Sequence, residues 1–394
     1  MTHPQLSRRD VLGRGTLGIL AVAYGSGRRS RLWSTEPENG DLIARQATPF
    51  NAEPALAKLV EKWMTPVNSF FVRSHGTVPE IDPKQFTLKV EGLVDKPLTI
   101  SLAELIERFP SASTTATLTC AGNRRSEFAA IKKVGGVQWD AGAIGNAEWL
   151  GVRLVDLLKH AGVKAEARHV WFDGSDVITE KNETFSFGGS IPIEKALVTT
   201  PTGATLLATQ MNGQALTAAH GFPLRTVVPG FIGARSVKWL NKITVSDRPS
   251  SNHYVADVYK LVPEENAELI AKTSPIYEFM LNSAICLPAS GANLNGDRVN
   301  VKGFALTNGT TGRSIKQIEV SADGGQTWVP AKLTSPVRDF CWVLWSADVP
   351  LTPKTESLVV RATDSSGEVQ PQASPWNYKG YQFNGWHKVS VKRA

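Results

Sequence analysis

Residues 118–128 read Leu118-Thr119-Cys120-Ala121-Gly122-Asn123-Arg124-Arg125-Ser126-Glu127-Phe128. The run Thr114–Thr119 is strand-like, and Cys120 falls at its end. Ala121-Gly122-Asn123 then makes a tight turn, and two arginines follow. The thiolate is the form of cysteine that ligates a metal or attacks an electrophile, and neighbouring cationic charge favours it. The segment reads as a thiol set to be a thiolate, with guanidinium groups beside it for an anion. An isolated free cysteine is more often a small buried hydrophobe, so the assignment depends on the rest of the chain.

The 394 residues suggest two or three domains, each large enough to bury a core. With 42% apolar and 20% charged residues, the composition is that of a globular protein. The net charge of +7 is concentrated at one end: residues 1–31 hold six arginines and one aspartate. No basic stripe of the kind that neutralises phosphates remains, which argues against nucleic acid as a partner. Three cysteines, Cys120, Cys286 and Cys341, form no disulfide framework, CxxC pair or CxxCH haem site. No apolar run approaches the roughly 18 residues of a membrane span. Neither GxGxxG nor GxxxxGK[ST] occurs, so a nucleotide cofactor is not indicated.

Patterning divides the chain. Asn51 reads as the cap of a helix carrying Leu56, Leu59, Val60 and Trp63, with Pro54 in its first turn. Phe86–Val90 alternates as a strand. Ser101 and Glu104 form a capping box for a short helix ending near Phe109. Val152–His160 is an amphipathic helix closed by Gly162. Short strands follow at His169–Phe172, Thr205–Gln210, Leu224–Val228 and Ile243–Val245. Beyond about residue 270, helix patterns give way to strands at Arg298–Ala305, Ser314–Ser321, Asp339–Ser346 and Leu358–Asp364. Asp323-Gly324-Gly325 is a hairpin-type turn. Trp328, Trp342 and Trp345 are candidates for the core there. The fold class is α+β: a mixed α/β domain over 49–268, then an all-β immunoglobulin-like sandwich over 269–394.

Seven segments, in order along the chain, resemble those of the sulfite oxidase family. They are Phe70-Phe71-Val72-Arg73-Ser74-His75, the Cys120 segment, Gly136-Val137-Gln138-Trp139 and His220-Gly221-Phe222-Pro223-Leu224-Arg225. Gly233-Ala234-Arg235-Ser236-Val237-Lys238-Trp239, Asp257-Val258-Tyr259-Lys260 and Asn377-Tyr378-Lys379-Gly380-Tyr381 complete the series. The resemblance runs from about Phe50 to the C-terminus.

That resemblance implies a molybdopterin cofactor whose molybdenum takes Cys120 as its protein ligand, a soft donor suited to such a metal. It implies that the first domain binds the molybdopterin and that the sandwich is a dimerisation domain. His75, His220, Arg225, Arg235, Ser236 and Lys238 match positions that hold the pterin and its phosphate. Arg73, Arg125, Trp139, Tyr259 and Lys379 match the substrate pocket, where converging cations would take a small oxyanion. Cys120, Tyr259 and Arg73 are the expected catalytic residues. Lys379 stands where the family has arginine, keeping the charge but losing the planar fork, and Ser74 replaces an asparagine. The implied reaction is oxidation of sulfite to sulfate, with electrons leaving singly to an external acceptor such as a c-type cytochrome or a haem subunit. No haem site lies in this chain. Other expectations on the same scaffold are reduction of another oxyanion or a sulfoxide, or direct use of dioxygen. A different class of reading is a non-catalytic binding protein built on the sandwich.

The N-terminus resembles a twin-arginine export signal: Ser7-Arg8-Arg9-Asp10-Val11-Leu12 precedes an apolar run, Leu17–Ala23. Residues 1–30 are read as that signal and 31–48 as a linker. The expected location is the periplasm, without stable membrane insertion.

Overall fold

Two five-stranded sheets and a sandwich make up the computed structural model, which describes residues 42–180 and 182–393. The twin-arginine-type segment and most of the expected linker lie outside the described residues.

The first sheet runs Gly188–Pro192, His169–Gly174, Leu240–Ser246, Thr87–Gly92, Leu98–Ser101. Its one parallel pairing joins Leu240–Ser246 to Thr87–Gly92. Thr87–Gly92 alternates as a half-buried strand must, with Leu88 and Val90 fully buried. The helix Leu102–Arg108 starts with the expected capping box: the Glu104 N–H donates to Ser101 Oγ, and the Glu104 carboxylate accepts from the Ser101 N–H. The helix Leu154–Ala161 lays Leu154, Leu157, Leu158 and Ala161 into the same core and ends at Gly162, φ 72°. It starts two residues later than its periodicity suggests, because Val152 and Arg153 still pair within the strand Ile144–Arg153.

The second sheet runs Gln214–Ala215, Leu206–Met211, Ile144–Arg153, Ser111–Thr119, with Arg225–Val227 also paired to Leu206–Met211. Its core contains Phe70, Leu118, Cys120, Trp139 and Trp149. The strand expected before Cys120 is present and longer than its apolar run suggests.

Two expectations near the start need correction. Asn51 caps no helix; it opens the strand Asn51–Pro54, which pairs with Leu42–Gln46 inside the expected linker. Its amide is spent elsewhere, Oδ1 accepting from Ser74 N–H at 2.9 Å and from Arg73 Nη1 at 3.1 Å. The helix shrinks to Leu56–Leu59, with no side-chain cap.

The C-terminal sandwich packs one sheet, Asn282–Leu287, Arg298–Leu306, Val343–Pro350, Lys332–Leu333, on another. The second is Ala292–Leu294, His387–Arg393, Ser357–Asp364, Ile315–Ser321, Val329–Pro330. Val301, Val320, Trp345, Leu358 and Val389 fill the space between. Of the three tryptophans expected in that core, only Trp345 is there. Trp328 stays half-buried against Trp386. Trp342 belongs to the seam with the first domain, and its strand begins at Val343 rather than Asp339. The seam is a reciprocal clasp: Trp63 Nε1 donates to the Trp342 carbonyl and Trp342 Nε1 to the Trp63 carbonyl, both at 3.0 Å. Next to it the Thr117 N–H donates to the Phe340 carbonyl, and the Trp342 N–H to Thr117 Oγ1. The second domain therefore grips the strand that ends at Cys120. Among the described residues, no helix is long and apolar enough to cross a membrane.

Candidate active site

Cys120 leaves the strand Ser111–Thr119 as its pairing ends, and local hydrogen bonds set the turn. Its N–H donates to the Ala143 carbonyl, its carbonyl accepts from the Asn123 N–H, and Asn123 Oδ1 accepts from the Ala143 N–H, each at 2.9 Å. The thiol faces a cleft whose apolar walls carry a few converging polar groups, the form of a ligand site. Eight of the twelve residues expected at the site line it: Arg73, His75, Cys120, His220, Arg225, Ser236, Lys238 and Tyr259.

They arrive from separate elements. Arg73 and His75 lie on an extended segment bonded to the strand Asn51–Pro54 through Ala52 and Val72. His220 ends the 3₁₀ turn Ala218–His220, whose Thr217 cap bonds its Nδ1 at 2.8 Å. Arg225 opens the strand Arg225–Val227. It donates to the carbonyls of His220 (2.9 Å) and Ser236 (3.2 Å), and its guanidinium lies 5.0 Å from the Trp149 ring. Lys238 Nζ donates to Ser74 Oγ at 3.0 Å and the Ala219 carbonyl at 2.8 Å. Tyr259 follows the π-helical turn Tyr254–Val258, an irregularity frequent at functional sites.

The electrostatics favour an anion. Arg73, Arg225 and Lys238 face one carboxylate, Asp176. Their hydrogen bonds go to carbonyls, a hydroxyl, the Asn51 amide and an imidazole, all neutral. Burial lowers Arg225 to about 9 and, with Arg225 adding repulsion, takes Lys238 well below its ordinary value. Bringing in an anion relieves this cost. Burial also holds His220 at about 3 and His75 well below 6.5, with Arg73 next in effect on His75, so both imidazoles are neutral.

Arg73 fixes the His75 tautomer. Its Nη2 lies 3.2 Å from Nδ1, and a guanidinium can only donate, so Nδ1 accepts and Nε2 carries the hydrogen. Nε2 lies 2.9 Å from the Tyr259 oxygen and donates to it. The Tyr259 O–H is then free to donate elsewhere. Burial pushes this phenol upward, so it stays protonated at neutral pH.

Four expected residues stand behind the cleft wall. Arg125 donates to the carbonyls of Lys379 (2.9 Å) and Val137 (2.8 Å) and lies 5.1 Å from the Tyr381 ring. Glycine makes room for it: a Cβ on Gly122 would stand 2.5 Å from its guanidinium, and one on Gly136, at φ 91°, would stand 3.1 Å away. Trp139 is fully buried beside the Cys120 strand. Arg235 is fully buried under Tyr259 and donates to the Ile276 and Tyr254 carbonyls. Lys379 departs most from expectation. Its ammonium lies 4.9 Å from the Tyr378 ring, and its contribution is the carbonyl that holds Arg125. Sequence reasoning missed Asp176, Phe187 and Trp239, which also line the cleft. Asp176 sits in a plain loop with no motif around it.

The residues fit a metal-bearing anionic cofactor. Among the described residues no group of three or more His, Cys, Asp or Glu is placed to hold a metal ion, so a metal at Cys120 would take its other donors from the group it arrives with. The cations beside it suit a phosphate on the same group.

Comparisons with known proteins bear on which group this is. Residues 75–254 match the model of the oxidoreductase molybdopterin binding domain, and residues 273–394 that of the Mo-co oxidoreductase dimerisation domain. Sulfite oxidase of Gallus gallus is 41% identical over 365 residues, covering 89% of this chain and 78% of that protein. Sulfite oxidase of Arabidopsis thaliana is 37% identical over 380 residues, covering 90% and 95%. Among solved structures, the sulfane dehydrogenase SoxCD from Paracoccus pantotrophus superposes with a TM-score of 0.74 at 26% identity, covering 95% of this chain and 92% of that one.

Proposed function

The chain belongs to the sulfite oxidase family, and on that premise we propose that it oxidises sulfite to sulfate at molybdenum held by the Cys120 thiolate, passing electrons singly to an external acceptor. It is a molybdenum-dependent oxidoreductase acting on sulfite, with molybdopterin as cofactor. The observation that carries the finer reading is the meeting, in one cleft, of the Cys120 thiol with three cations that face, among the described residues, the one carboxylate of Asp176.

When bound, the cofactor supplies oxygen-atom transfer and holds the two electrons released. The chain supplies the rest. Arg225, Lys238, Ser236 and His220 would hold the pterin and its phosphate, Lys238 as a point charge. Arg235 backs this wall. Arg73 attracts the sulfite anion, and Tyr259, its own hydrogen freed by His75, donates to the bound oxyanion. Trp139 keeps water from the thiol side. Arg125, caged by glycine and bonded to the Lys379 and Val137 carbonyls, adds positive charge near Tyr259.

The acceptor is proposed to be a c-type cytochrome or haem subunit, since the sequence holds no CxxCH. The match to a dimerisation domain supports a homodimer. The twin-arginine-type segment supports export to the periplasm, testable by loss of the periplasmic form in a host lacking that pathway. The function is tested by sulfite-dependent reduction of ferricyanide and of cytochrome c, using chain made in a host that synthesises the cofactor. Activity with both supports the reading. Molybdenum-loaded protein inactive with either refutes it.

A further inference from the structure

The turn that carries Cys120 is also held from behind, by one residue of the C-terminal strap. Gln382 has φ 52°, a left-handed conformation that non-glycine residues seldom adopt without an anchor. Its side chain has two anchors: Oε1 accepts from the Met280 N–H at 2.8 Å, and Nε2 donates to the Glu278 carbonyl at 3.0 Å. So held, its backbone N–H donates to the carbonyl of Ala121, next to Cys120, at 2.6 Å. The neighbours on either side make parallel contacts. Tyr381 packs its ring 5.1 Å from that of Tyr259, and Phe383 lies 4.8 Å from the Arg124 guanidinium. Between strap and turn lies a second, small cavity lined by Cys120, Ala121, Asn123 and Gln382 among others. The bond from the Gln382 N–H to the Ala121 carbonyl ties the backbone of the strap directly to that of the turn.

We propose that Gln382 is a positioning residue for Cys120, through which the sandwich domain sets the placement of the metal-ligating thiol. The inference rests on the reading of Cys120 as the ligand. It gives the second domain a part in the site as well as in dimerisation.

The test compares Gln382→Ala and Gln382→Asn with the parent, each as the full chain. Asparagine tolerates the left-handed conformation but is too short for both anchors. Hydrogen exchange over residues 119–125 is measured on protein made without molybdenum. On loaded protein, molybdenum content, the paramagnetic signal of the half-reduced metal and steady-state kinetics are measured. Exchange should quicken roughly tenfold, as expected when anchoring hydrogen bonds are lost. Metal content should stay near that of the parent while the g-values shift. The kcat should fall about fivefold or more with the KM for sulfite within about twofold. Parent-like exchange and g-values would overturn the proposal. If the alanine variant does not accumulate, the asparagine variant decides on the same readings. Failure of the ligand reading shows separately, as a Cys120→Ser protein whose metal signal is unchanged.

Discussion

His75 Nε2 lies 2.9 Å from the hydroxyl oxygen of Tyr259, and its Nδ1 lies 3.2 Å from Arg73 Nη2. One neutral imidazole thus links the cation and the phenol that face the cleft, and turns the phenolic hydrogen toward it. Tyr259→Phe removes that donor and leaves the packing. It is expected to lower kcat/KM for sulfite by about 10- to 100-fold with molybdenum content unchanged, the range for one hydrogen bond to a charged group. His75→Gln should lower it through the same phenol, and the double variant should lose less than the two single losses combined. Steady-state kinetics on metal-normalised protein checks both.

Arg73 and Lys379 are both cations expected at the substrate, yet only Arg73 lines the cleft. Arg73→Ala should raise the KM for sulfite about 30-fold, the loss of a charge-assisted contact. Lys379→Ala, which keeps the carbonyl that Arg125 uses, should change it less than about threefold. An equal effect of the two substitutions would show that the lysine reaches the substrate.

His387 is buried in the sandwich, where its Nδ1 accepts from the Ile285 N–H, and burial lowers it to about 4. The unfolded chain, with an ordinary value near 6.5, binds the proton more readily than the folded one. Stability is therefore full above about pH 6.5 and falls as the pH drops toward 4. Its loss at the lower end is on the order of 3 kcal/mol from this group. Thermal unfolding of the parent at pH 4.5 and pH 7.5 should show the difference, and His387→Gln should flatten it. An unchanged slope in the variant would assign the acid sensitivity to other groups.

What could be read in advance followed physical range along the chain. Leu88 and Val90 alternate because a strand with one wet face must, and the Ser101–Glu104 box announces a helix through contacts three residues apart. The ordered motifs also identified Cys120, His220, Arg225 and Lys238, which do meet at one cleft. Asn51 was misleading because its amide serves Arg73 and Ser74, more than twenty residues away, and only the tertiary fold shows that. Lys379 and Arg125 are set by the same limit. Their neighbourhood was legible, but the direction of each side chain depends on glycines and carbonyls brought in from elsewhere. Asp176 and Gln382 carry no local signal, since each acts through a contact made only when distant segments pack.

The central claim is that the Cys120 thiolate binds the metal on which sulfite is oxidised. X-ray absorption at the molybdenum edge, with turnover measured on the same samples, tests it most directly in the parent and in Cys120→Ser. The account predicts a folded, molybdenum-containing variant with one fewer sulfur neighbour at the metal and little sulfite oxidation. A variant with the parent's sulfur count and near-parent turnover would contradict it.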